Sequence, residues 1–118
     1  MARLVPVAAV IALVAIPPAF AEGDSKRLIV GAGSKSCEMW TQHREEPATS
    51  EDRAVMEIWF QGFMSGLNMD KSTPEMLNVE YKGMTSWMDR YCRSNPLEAI
   101  ASAALALALE LRSRARRN

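Results

Sequence analysis

At 118 residues the chain has room for one domain. Its 14 Lys/Arg balance 14 Asp/Glu, and 48% of its residues are hydrophobic. Those values exclude a globally basic nucleic-acid binder and a strongly acidic disordered chain, and the length excludes a two-domain cofactor enzyme.

Residues 1–21 read as a cleavable export signal. Arg3 supplies one early positive charge, an apolar stretch follows from Leu4, and Pro17 and Pro18 break it. Ala19-Phe20-Ala21 then offers a small-x-small cleavage pattern before Glu22. The apolar run from Leu4 to Phe20 is at the short limit for a spanning helix and carries three prolines, so no stable membrane insertion is expected. Removing the leader takes Arg3 with it. Of the 14 basic residues 13 then remain against 14 acidic ones, a net charge of −1 on about 97 residues. The expected location is a bacterial periplasm.

Residues 22–35 form a polar lead-in with one short apolar run, Leu28-Ile29-Val30. The Gly31-Ala32-Gly33-Ser34-Lys35-Ser36 stretch lacks the spacing of a phosphate loop and reads as a flexible turn. Residues 36–112 carry helical periodicity throughout. Ser36 is placed to cap a first helix from Cys37 to about Glu46, with Cys37, Trp40 and Arg44 along one face and Pro47 as its stop. Thr49 or Ser50 caps a second helix, which Glu51 and Asp52 favour through its dipole. Its apolar stripe runs Val55, Ile58, Trp59, Gly62, Phe63, Gly66, Leu67. Two glycines one turn apart on that stripe predict a helix passing very close.

A loop follows over 68–73, and Thr73-Pro74-Glu75 predicts a short helical turn through Asn78. Tyr81 to Ser94 forms a further amphipathic helix, with Met84, Trp87, Met88, Tyr91 and Cys92 on one stripe. Asn95-Pro96-Leu97-Glu98 predicts the start of a last helix, with Ile100, Ala104, Leu107 and Leu111 inward and its end near Arg112. Residues 113–118 are a basic tail. The predicted fold is all-α, a small bundle of four to five short helices.

Cys37 and Cys92 allow one pairing in an oxidising compartment. A bridge closing a loop of about 55 residues stabilises by up to about 4 kcal/mol in the chain-entropy description. There is no C-x-x-C for redox work and no C-x-x-C-H for haem, and a zinc site through the cysteines would need His43, the lone histidine, and a fourth ligand of unknown identity. No metal, cofactor or catalytic residue is therefore assigned. Trp59, Phe63, Met84, Trp87 and Met88 are candidates either for the core or for a client-binding surface. Seven methionines beyond Met1 suit irregular packing and adaptable binding alike.

Ser36-Cys37-x-x-Trp40, the Trp59–Asn68 stretch WFQGFMSGLN, the Trp87–Leu97 stretch WMDRYCRSNPL and the alanine-rich last helix together resemble the periplasmic acid-stress chaperones of the HdeA/HdeB type. Those proteins share a leader, a first cysteine opening a helix, a central aromatic-plus-glycine helix, and a second cysteine followed closely by proline. The matching positions here are Cys37, Trp59 to Asn68, Cys92 and Pro96. The resemblance implies a non-enzymatic exported protein that binds unfolding clients, with a homodimer compatible with it. Small immunity proteins of bacterial secretion systems share a similar cysteine and glycine pattern. They give the alternative: an immunity or inhibitor protein capping one specific partner.

Overall fold

The computed structural model describes residues 2–4 and 28–118. The expected export signal, apart from residues 2–4, and residues 22–27 of the lead-in lie outside the described residues. Among the described residues there are four α-helices and one 3-10 turn: η1 (Gly31–Ser34), α1 (Cys37–Arg44), α2 (Glu51–Met69), α3 (Tyr81–Ser94) and α4 (Ile100–Arg117). They form an all-α bundle, as the periodicity predicts. No helix of the described residues is long and apolar enough to cross a membrane.

Cys37 and Cys92 are bonded, with Cα atoms 4.7 Å apart, and both are fully buried. The bridge ties the start of α1 to the end of α3, and it fits an oxidising, exported location. Ser36 and Ser50 cap α1 and α2, their hydroxyls accepting from the amides of Met39 and Arg53.

The core is Trp40, Met56, Phe60, Met64, Met88, Ile100, Leu107 and Leu111, with alanines 103, 104 and 108 letting α4 approach closely. Trp40 meets Phe60 edge to face at 5.2 Å. The four inward positions expected of α4 are all buried.

The α2 stripe is turned from its expected position. Met56, Phe60 and Met64 are buried, while Trp59, Phe63 and Leu67 are half-buried beside them. Val55 and Ile58 face out, at 56% and 67% exposure. In this orientation Glu57 accepts from Arg44 of α1 and from Arg53 of its own helix, so the polar pairing and the burial of Met56, Phe60 and Met64 are satisfied together. Gly62 and Gly66 consequently face solvent, with nothing within 4 Å of a Cβ built on either, which overturns the expected close helix contact there.

The close approach occurs at Gly33 instead. A Cβ on Gly33 would run into the six-membered ring of Trp59, and Gly31 adopts φ +77°, the left-handed region that favours glycine. The stretch expected as a flexible turn is thus a 3-10 turn seated under an indole. Trp59 Nε1 donates to the Val30 carbonyl at 2.9 Å.

Two further boundaries differ from expectation. Residues 74–78 form no helical turn. Their donors are taken elsewhere: the Leu77 amide bonds the Leu111 carbonyl of α4 at 3.0 Å, and the Met76 amide bonds Asn68 Oδ1. The chain here is a strap across the ends of α2 and α4. Likewise α4 starts at Ile100, not at Pro96. The carbonyls of Pro96 and Glu98 accept from the amides of Glu38 and Cys37, so residues 95–99 cap the first turn of α1. Ser36 and Ala99 form an isolated antiparallel bridge at that point. At its other end α4 continues to Arg117, past the Arg112 end suggested by the sequence. There Arg114 pairs with Glu110, and Arg112 donates to the carbonyls of Leu67 and Pro74.

Candidate functional site

A charged clamp joins three helices beside the disulfide. Arg44 makes a two-pronged contact with Asp89, Nε to Oδ1 at 3.0 Å and Nη2 to Oδ2 at 3.1 Å, and its Nη1 donates to Glu57 at 2.6 Å. Trp40 Nε1 adds a 2.8 Å bond to Asp89 Oδ1. Arg53 donates to Glu57 at 2.8 Å and to the carbonyls of Arg44 and Glu46. Arg44 is half-buried, and its hydrogen bonds to Asp89 outweigh desolvation, holding the guanidinium more firmly protonated than usual. The clamp therefore fixes α1 against α2 and α3 at neutral pH.

The opposite end of the bundle carries an open groove of about 540 Å³. Met64, Met76, Val79, Tyr81, Met84 and Leu111 supply much of its apolar lining, and Gln61, Ser65 and Asn68 its polar edge on α2. The strap forms one wall. Burial pushes the Tyr81 phenol up from its ordinary value. Glu75 and Asn78 also line it, so the groove is as polar as it is apolar and its flexible thioethers form adaptable apolar patches within a mixed surface.

Around this core the protein keeps much apolar surface half-covered or outward. Trp59 stacks on Phe63 at 4.8 Å, and Trp87 on Tyr91 at 4.9 Å; all four are half-buried. Leu109 of α4 is 65% exposed, and Leu105 and Met69 are also exposed. Tyr91 is fixed by a 2.7 Å bond to Glu98, whose carboxylate raises the phenol above its usual range.

The sequence candidates divide accordingly. Met88 is wholly buried and belongs to the core. Met84 lines the groove, and Trp59, Phe63 and Trp87 form half-buried aromatic edges. Two groups escaped the sequence reading. Met64 and Met76 meet in the groove only because the strap folds back across α2. The clamp left one visible trace, since Arg44 shares a helical face with Cys37 and Trp40; a charge on an apolar stripe needs a buried partner. Which carboxylates answer it depends on how α2 and α3 pack. No family model, no curated protein and no solved structure matches the chain.

Proposed function

We propose that the protein is a non-enzymatic, exported binding protein that captures unfolding client proteins under acid stress in the periplasm, as its resemblance to the HdeA/HdeB type implies. The observation that carries this reading is the pairing of a carboxylate-dependent clamp with a methionine-lined groove and half-buried aromatic pairs. Near pH 2 carboxylates as a class are neutral. Arg44 and Arg53 are held in the bundle by carboxylate partners, so the packing of α1 against α2 and α3 depends on negative charge that acid withdraws from the molecule as a whole. With the leader removed, 13 Lys/Arg, His43 and the amino terminus bring the net charge to about +15. Repulsion loosens the bundle, and the Cys37–Cys92 bridge keeps it from expanding fully. Loosening frees Trp59, Phe63, Met84 and Trp87 for clients, and the charge keeps the complexes soluble.

Hydrophobic-dye binding and a client aggregation assay run from pH 7 to pH 2 test this. Dye binding and protection of clients should rise together in acid. Exposure without protection, or a protein that stays rigid and inactive, refutes it. The alternative, an immunity or inhibitor protein with one partner, is favoured by Val55, Ile58, Leu105 and Leu109, which face outward at neutral pH without any loosening. It predicts tight binding to one protein at pH 7 and no general protection.

A further inference from the structure

We infer that His43, Glu46 and Asp52 form a binding site for a divalent transition-metal ion of the zinc kind. One ligand atom from each lies within 4.8 Å of the others. Donors around a tetrahedral zinc with bonds of about 2.0–2.2 Å stand about 3.5 Å apart, so small side-chain movements close the set around an ion. His43 Nδ1 and Glu46 Oε1 share a hydrogen bond of 2.9 Å; an ion takes the place of the proton between them, which leaves to solvent or moves to Nε2. One imidazole with two carboxylates is a borderline nitrogen–oxygen set, which suits zinc better than magnesium with its octahedral oxygen demand.

The backbone that carries these residues is held independently of any ion. His43 lies in the last turn of α1, Glu46 in the connection, and Asp52 in the first turn of α2. Arg53 Nη1 donates to the carbonyls of Arg44 and Glu46, at 3.3 and 2.8 Å, and fastens the connection to α2. Ser50 Oγ donates to the second oxygen of Glu46 and accepts from the Arg53 amide. That outer shell aims Glu46 while leaving Oε1 toward His43. Among the described residues Asp52 has no hydrogen bond or ion pair, so its carboxylate is free to turn inward. His43 and Asp52 also line an apolar groove of about 440 Å³ with Met39, Val55, Met56 and Ile100. A water, or a donor from a bound partner, completes the coordination. Lys35 lines the same groove, and Arg53 reaches the Glu46 carbonyl from the other side; these are cations an entering ion would have to tolerate.

His43 is the only histidine, so its ring signals report on the site without assignment ambiguity. The test is a calorimetric titration of the chelator-treated protein with Zn²⁺, with the imidazole resonances followed by NMR. One Zn²⁺ should bind per chain, with the His43 signals shifting to completion at one equivalent. His43→Ala should weaken binding about tenfold or more, and Asp52→Asn several-fold, while Glu51→Gln on the same helical turn should leave it unchanged. Circular dichroism checks that each variant stays helical; should His43→Ala unfold, Asp52→Asn and the wild-type resonances still decide. Unmoved His43 signals, loss by Glu51→Gln as large as by Asp52→Asn, or equal competition by Mg²⁺ would each overturn the site.

Discussion

The side of the bundle where α1 meets α3 and the side where α2 meets α4 are held by different forces. The first has a covalent bond, a two-pronged arginine–aspartate pair and an indole bonded to the same aspartate. The second is held mainly by apolar packing of Met56, Phe60 and Met64 against the alanine-rich face of α4, with Arg112 as its polar fastener. Directional ties tolerate little displacement, whereas apolar contacts with flexible methionines can be remade with a different partner. At neutral pH, then, one side is tied by directional bonds and a covalent bridge, and the other by contacts that can be remade.

Removing the covalent tie tests that contrast most severely. Cys37→Ser with Cys92→Ser should cost up to about 4 kcal/mol, read as a large fall in the thermal midpoint. A fall of only a few degrees would mean the clamp alone holds α1. Next in size is Asp89→Ala, which leaves Arg44 half-buried with Glu57 as its remaining counter-charge and takes the acceptor from Trp40. The expected cost is about 2–3 kcal/mol by denaturant titration, below that of a fully buried pair because the side chains retain some exposure. The same variant should bring on hydrophobic-dye binding at higher pH than the wild type, because a bundle already weakened needs less charge repulsion to loosen. An unchanged onset would remove the clamp from the acid response.

On the softer side, Gly33→Ala should cost about 1–2 kcal/mol, because the new methyl forces Trp59 off its bond to Val30 and its stack on Phe63. Equal stability would show that the indole moves freely. The smallest effect has the opposite sign. Gly62→Ala should stabilise by about 0.5–1 kcal/mol, since the position is exposed, helical and without neighbours for a Cβ. Destabilisation there would restore the close packing that the glycine spacing suggests and would require a partner on that face.

Local rules carried most of the element boundaries. Ser36 and Ser50 cap the helices they were expected to cap, α3 spans Tyr81 to Ser94 as its periodicity predicts, and α4 turns Ile100, Ala104, Leu107 and Leu111 inward. These depend on residues within one or two turns of each other, so the sequence alone determines them. The class of fold follows in the same way, and the single possible cysteine pairing follows from there being two cysteines. What the chain does over longer separations was settled only by packing. Pro96 and Glu98 lost a helix start because their carbonyls satisfy the exposed amides of α1, and residues 74–78 lost a turn to bonds with Leu111 and Asn68. The rotation of α2 goes with the pairing of Glu57 to an arginine on another helix. That one rotation sent Val55, Ile58, Gly62 and Gly66 to solvent and brought Met64 to the groove. A helical stripe states which residues share a face; which face is buried depends on charges and carbonyls supplied by distant segments, and only the tertiary structure brings those together.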